Sequence, residues 1–317
     1  MAREEPDPRG EEALVEGRSP PGPRGQRSGT LGRMAENYIC LTCGAQHAAS
    51  EGPPEHCRIC DDERQYVGWA GQQWTTLEGM KAAGHHNRVM EVRDERGLWS
   101  IDTRPRFGIG QRALLVQTPA GNFLWDCITH LDEATVERVG QLGGIAGISV
   151  SHPHFYGTMI EWSHAFGNAP VYVPKADAEW VVRSDPVVQS YEGSREVLPG
   201  LTLVQVGGHF EGSAVLHWGQ GAEGRGALLT GDSIAVAADR GWVTFMRSYP
   251  NYIPLHREAI DGIVRALEPY EYDRIHGGWW ELTVESGAKA AVRRSAERYV
   301  RWTEGGGSGR QEVGGKR

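Results

Sequence analysis

Nine residues of this chain have the type and spacing to hold metal ions. Cys40 and Cys43 form one CxxC in "YICLTCGAQH", and Cys57 and Cys60 form a second in "EHCRICDD". Each CxxC is a tight knuckle that turns two thiolates towards one ion, and Gly44 after the first pair suits the positive-φ turn a knuckle needs. The loop between them brings the knuckles together, so four sulfurs make a tetrahedral site for Zn²⁺ or a mononuclear iron. Two separate redox dithiols are the competing reading, and the double spacing argues against it. His47 and His56 read as surface-loop residues nearby, and the fifth cysteine, Cys127, reads as a buried small hydrophobe.

The second group is more dispersed. "SVSHPHFYGTM" places His152 and His154 two apart after an apolar run. On an extended segment both side chains face the same way. His209 in "VGGHFEGS", Asp232 in "LLTGDSI" and His276 in "YDRIHGGWW" each follow an apolar strand beside glycine. Alone, any of them is more often a turn residue or a satisfied polar group of the core. Five at strand ends point to imidazoles and a carboxylate gathered round an ion, a donor set that Zn²⁺ favours. An ion held by imidazoles with an open position is a Lewis acid and a means of activating water near neutral pH, so hydrolysis is the natural reaction class.

Holding these residues in place takes a sizeable core, and 317 residues at 39% hydrophobic can supply one. Residues 1–34, rich in Pro, Gly, Arg and Glu, are expected to be disordered, with Met34 a candidate for the true start. Residues 35–80 form a small four-cysteine zinc ribbon, too short to fold without its ion. Residues 85–304 carry short apolar strands such as "RALLVQT", "NFLWDC", "PVYVP", "LTLVQV", "GALLTG" and "WVTFM". Helical patterns lie between them at "DEATVERVGQL", "TMIEWSHAF", "ADAEWVVRS", "PLHREAIDGIVRALE" and "VESGAKAAVRRSAERYVRW". Strands cluster before and after the helices, which predicts an α+β domain of two mixed sheets with helices outside. Residues 305–317 read as a flexible tail.

No apolar run approaches the ~18 residues that span a bilayer, and the N-terminus lacks the apolar centre of a signal peptide. Cytoplasm is the expected location. A net charge of −8 argues against general nucleic-acid binding. The expected partner is a small-molecule substrate, and a homo-oligomer is compatible with the sequence.

In order and context these motifs resemble the metallo-β-lactamase fold superfamily, over roughly residues 85–300. "SHPHFYG" is similar to the family's HxHxDH motif, "GGHFEGS" to its GHTPGS-like motif, "LLTGDSI" to the strand ending in a bridging aspartate, and "RIHGG" to the last histidine motif. "FLWDC" looks like the early strand ending in an aspartate, with Asp126 a structural turn former. The cysteine segment resembles zinc ribbons and rubredoxins. The resemblance implies an αββα sandwich with its site at one sheet edge. It implies a first metal on His152, His154 and His209, with Asp232 bridging or completing that shell and His276 belonging to a second metal.

The chain departs from that pattern at Tyr156 and Gly157, where the family keeps the Asp and His of its second-metal site. One ion is therefore expected in this domain, with zinc as the first choice and iron as the alternative, beside the ribbon's own. The expected activity is a metal-dependent hydrolase of the ester, thioester or lactone class. With the HxHxDH aspartate gone, His276 becomes the first candidate for proton transfer, Asp232 assists at the metal, and Tyr156 is a donor to a developing oxyanion. Glu161 is a further substitute for that aspartate, with a solvated helix face as the competing reading, and His164 reads as a polar helix residue. Trp279, Trp280, Arg247 and Tyr249 are candidate pocket residues, with packing or surface roles competing. Glu211 either fixes the tautomer of His209 or is exposed. Two other functions stay open: a metal-binding or sensing protein with little turnover, and an iron redox protein with a rubredoxin-like centre.

Overall fold

Alternation of side chains decides the layers. In the strand Ala113–Thr118, Leu114 and Val116 enter one buried cluster while Ala113 and Leu115 enter another. Period two requires this of a strand covered on both faces. The computed structural model describes residues 34–305. Apart from Met34 and Gly305, the N-terminal arm and the tail expected from composition lie outside the described residues.

Seven strands form the first sheet, in the spatial order His86–Glu91, Leu98–Arg104, Ala113–Thr118, Gly121–Trp125, Gly147–Ser149, Val171–Pro174 and Val188–Tyr191. The first four pair antiparallel, and from Gly121–Trp125 onward the pairing is parallel. Six strands form the second sheet: Ser194–Leu198, Leu201–Gln205, Ala214–Trp218, Ala227–Thr230, Arg274–His276 and Thr283–Val284. Here only Ala227–Thr230 and Arg274–His276 run parallel. The inner faces meet through Leu98, Leu114, Trp125, Leu203, Leu216 and Leu229.

Helices cover the outer faces. Arg257–Leu267 buries Ile260, Ile263 and Leu267, the spacing of one helical stripe. With Ala288–Thr303 it closes over the second sheet. Glu133–Gln141 starts at Asp132, whose Oδ1 accepts from Thr135 N at 2.7 Å, satisfying an orphan amide of the first turn. This helix and Met159–Ala165 pack on the first sheet. The result is an αββα sandwich. Two segments differ in detail from the sequence reading. "ADAEWVVRS" yields only a 3₁₀ turn at Lys175–Trp180, and "WVTFM" divides into the short strands Val243–Thr244 and Met246–Ser248.

The ribbon consists of the paired strands Ile39–Cys40 and Trp74–Thr75 and the short helix Arg58–Asp61. Its four cysteines, Ala45 and Ile59 share one apolar cluster with Ile128, Tyr156, Met159 and Phe210 of the sandwich. Backbone bonds stitch the seam: Gln46 N donates to Gly157 O at 3.0 Å and Ala48 N to Val182 O at 3.2 Å. Among the described residues no helix is long and apolar enough to cross a membrane.

Candidate metal centres

The two knuckles face each other. Cys40 ends a strand, Cys43 lies in the following turn, Cys57 caps the helix Arg58–Asp61 and Cys60 lies within it. Gly44 has φ 82°, and a Cβ there would collide with Thr129 Oγ1, whose hydroxyl donates to Gly44 O at 2.9 Å. The sulfurs of Cys40 and Cys60 are 3.6 Å apart, and those of Cys43 and Cys57 are 3.7 Å apart. Ligands at ordinary Zn–S lengths in a tetrahedron sit about 3.8 Å from one another, so the four thiols are spaced for one ion. Their protons are unevenly held. Hydrogen bonding from Cys43 brings Cys40 to about 7, and bonding from Cys40 pulls Cys57 down. Cys43 and Cys60 are pushed up by their bonds with Cys40. Gln72 Nε2 donates to Cys40 Sγ at 3.2 Å, a bond that stabilises thiolate. Cys127 stands apart, buried, its thiol pushed well up by burial and by Asp126.

The second centre forms where the strands ending at Ser149 and Thr230 finish. Asp126, directly after the neighbouring strand Gly121–Trp125, has φ 62° and accepts from Ser151 N at 2.6 Å, just before the histidines. His152 is extended, but Pro153–Phe155 is a 3₁₀ turn rather than continued strand. His154 therefore reaches the common centre by a turn, not by the alternation expected from sequence. His152, His154, His209 and Asp232 offer donor atoms that all lie within 4.8 Å of one another. His209 Nε2 is 3.2 Å from His154 Nδ1, and Asp232 Oδ2 is 3.5 Å from His152 Nε2 and 3.7 Å from His209 Nε2. Nitrogen and oxygen ligands of a tetrahedral zinc lie about 3.4 Å apart.

The surroundings prepare these groups for a cation. His152 Nδ1 shares a hydrogen bond with Ser151 Oγ at 2.9 Å, and His209 Nδ1 faces Met246 O at 3.1 Å, leaving both Nε2 lone pairs directed inward. Burial, with His152, lowers His209 to about 3 despite the opposing pull of Asp232. Burial and the charges of His152, His209 and Arg64 hold His154 well below its ordinary value. Both rings are thus neutral, the ligating form. Burial raises Asp232, but His152 and His209 outweigh it and keep the carboxylate ionised. His152 Nε2, His154 Nε2 and Asp232 Oδ1 are buried without a hydrogen-bond partner. Buried polar atoms without partners are costly, and the orphaned His152 Nε2 faces Asp232 Oδ2 at 3.5 Å within the four-residue cluster, so the residues fit a metal.

Two sequence-predicted site residues lie elsewhere. His276 points between the sheets, where its Nε2 bonds Glu95 Oε2 at 2.9 Å; Arg274 Nη1 donates to the same oxygen at 2.8 Å and Ala222 N to the other at 2.9 Å. Its strand-end glycine context, which reads as a metal motif, instead marks a buried charged network. Tyr156 is buried and donates to Asp177 O at 3.2 Å. Burial and Asp177 push its phenol well up, so it stays neutral. Gly157 has φ 49°, and a Cβ there would lie 2.7 Å from Ile128 O. The volume beside His152 holds Phe155, its ring 4.5 Å from that imidazole and 5.6 Å from Trp279.

The lesser candidates have partners of their own. Glu161 pairs with Arg183, His164 with Asp185, and Arg247 with Glu63. Tyr249 donates to Asp232 O at 2.9 Å, with its ring 6.2 Å from that of His209. Glu211 binds Arg64 rather than an imidazole. Sequence reasoning missed Arg64, buried against the site, and Glu95, the partner of His276. Both lie in charged runs, "DDERQ" and "RDERG", which carry no signal that distinguishes them from solvated loops.

No family model matches the chain. The "Uncharacterized protein YmaE" of Bacillus subtilis (strain 168) is 47% identical over 265 residues, covering 83% of this chain and 96% of that protein. Among solved structures, DIM-1 metallo-β-lactamase aligns with a TM-score of 0.52 at 13% identity, over 69% of this chain and 98% of that one. VMB-1 aligns with a TM-score of 0.51 at 13% identity, over the same shares.

Proposed function

The chain belongs to the family of YmaE and has the metallo-β-lactamase fold, and from that premise we propose that it is a zinc-dependent hydrolase of a small ester, thioester or lactone. One ion would sit on His152, His154, His209 and Asp232. A second, on the four cysteines, would hold the ribbon together. The convergence of three imidazoles and one carboxylate within 4.8 Å carries the reading. When bound, zinc supplies Lewis acidity that polarises a carbonyl and acidifies water.

The chain's own groups do the rest. Ser151 and Met246 O fix two imidazoles so that their Nε2 atoms face the centre. Asp232 contributes the negative charge that offsets a dication, its Oδ2 lying 3.5 Å from His152 Nε2 and 3.7 Å from His209 Nε2. Phe155 and Phe210 pack against His152, at 4.5 and 5.9 Å between ring centroids, and exclude water from that side. A single ion at this centre is favoured because Gly157, Tyr156 and His276 supply no second donor set. Metal analysis of the purified chain should find two ions, falling to one in His152→Ala with loss of hydrolysis on a generic ester panel. Three ions in the wild type would refute the single-ion reading.

One observation favours the second reading, a metal-binding or sensing protein with little turnover. The four residues that would hold the ion are only 1–5% exposed, a burial that suits retention of an ion. Retention of both ions with no hydrolysis across the panel would select that reading.

A further inference from the structure

Beyond Cys60 the chain leaves its knuckle as Asp62-Glu63-Arg64-Gln65, and this short stretch grips both walls of the histidine centre. Arg64 Nε donates to His209 O at 2.7 Å, and its Nη2 reaches Glu211 at 3.2 Å. Asp62 holds the third corner of the guanidinium, with both carboxylate oxygens about Nη1 at 2.9 and 3.0 Å. The same guanidinium lies 4.3 Å from the ring of Phe210, the residue after His209, a cation–π contact that fixes it further. The opposite wall is the segment 246–251. Ser248 Oγ donates to Arg64 O at 3.1 Å, Arg247 pairs with Glu63 at 2.6 Å, and Asn251 Nδ2 donates to Glu63 O and Gln65 O at 2.9 and 3.0 Å.

These two walls are what orient His209. Its own carbonyl is held by Arg64, and its ring is turned by Met246 O at 3.1 Å. Both anchors are thus fastened to residues 63–65, directly downstream of a thiolate ligand. We propose that Arg64 is a positioning residue for His209, through which the ribbon sets the metal affinity of the histidine centre. This rests on the reading that the centre holds a metal.

A buried guanidinium suits the task because its rigid fork satisfies His209 O, Asp62 and Glu211 at once; an ammonium cannot reproduce that geometry. Without it, His209 O loses its donor and the ring loses its fixed origin. Removing partners that orient ligands lowers metal affinity about 10–100-fold.

The test compares Arg64→Ala and Arg64→Lys with Arg58→Ala. Arg58 also ties the ribbon to the sandwich, through Glu179 and across Trp180, but it touches neither wall of the site. Each protein is loaded with Co²⁺, and the visible bands of the thiolate and histidine centres are followed during titration with a competing chelator. Both Arg64 variants should keep the thiolate bands and lose about 10–100-fold in affinity at the histidine centre, while Arg58→Ala matches wild type at both. Should Arg64→Ala fail to fold by circular dichroism, Arg64→Lys, which keeps the charge and the stem, decides the matter. Wild-type affinity at the histidine centre in the Arg64 variants, or an equal loss in Arg58→Ala, would overturn the inference alone. A wild-type chain that takes up only the thiolate-bound ion would overturn it together with the proposed function.

Discussion

Replacing Gly157 with alanine tests whether this position has any room for a ligand. Its φ of 49° is left-handed, which costs an L-residue about 1–2 kcal/mol. The new Cβ would lie 2.7 Å from Ile128 O, 2.8 Å from Ile128 C and 3.3 Å from Cys127 C. All three are backbone atoms, so relief requires the main chain to shift, an overpacking cost of about 1–3 kcal/mol. That shift strains the bond by which Gln46 N holds Gly157 O at 3.0 Å, worth about 1 kcal/mol. The sum is roughly 3–6 kcal/mol, or on the order of 10 °C in Tm for a domain of this size. Urea and thermal unfolding at fixed metal concentration measure it. Gly157→His, the substitution that would restore one of the two missing second-metal residues, should cost at least as much and bind no third ion. Stability of Gly157→Ala within about 1 kcal/mol of wild type, or a third ion in Gly157→His, would refute the reasoning.

Four further outcomes follow from the buried groups. Glu95→Gln leaves Arg274 buried without its carboxylate and should cost about 3–5 kcal/mol in urea unfolding. Burial raises the Glu95 carboxyl, but bonds from His276 and Arg274 bring it below the ordinary 4.5. Its contribution is therefore complete above that value and fades as the pH falls through the lower folded one, so the variant should show a flatter acid limb. Burial holds His276 below its ordinary 6.5, and the wild type should also lose stability as the pH drops under 6.5; His276→Ala should keep both metals, and loss of an ion would restore this residue as a ligand. Tyr156→Phe should leave hydrolysis unchanged and cost about 1 kcal/mol; a large fall in kcat at unchanged stability would return the phenol to the chemistry. Zinc-loaded protein should be colourless, whereas a red thiolate centre would mean iron and favour the redox reading.

The thiolate centre was legible because CxxC repeated across a short loop has few other physical uses. The first three histidines and Asp232 were legible through their order at strand ends, although the route was not: "SHPHF" turns at Pro153, which the assumption of extended backbone overlooked. His276 misled because a histidine between an apolar strand and two glycines looks alike whether it faces an ion or a buried glutamate. The difference lies in Glu95, far away in sequence on a loop between two strands of the other sheet. The pairing of Arg64 with His209 O spans a separation of 145 residues, and only the folded chain reveals it. The layered architecture was readable from strand and helix periodicity. The short elements at Lys175–Trp180 and Val243–Ser248 were not, since loops that wrap a site obey local contacts rather than a period.

The shared apolar cluster between ribbon and sandwich also bears on how the protein fares when metal is scarce. Unthreading the knuckles would bare Ile128, Tyr156, Met159 and Phe210 to water and free the amide and carbonyl groups along the seam. Sticky, protease-sensitive surface of that kind shortens a protein's lifetime. Starvation for the ion would then deplete the molecule itself, and abundance, rather than turnover per molecule, would report the cell's supply.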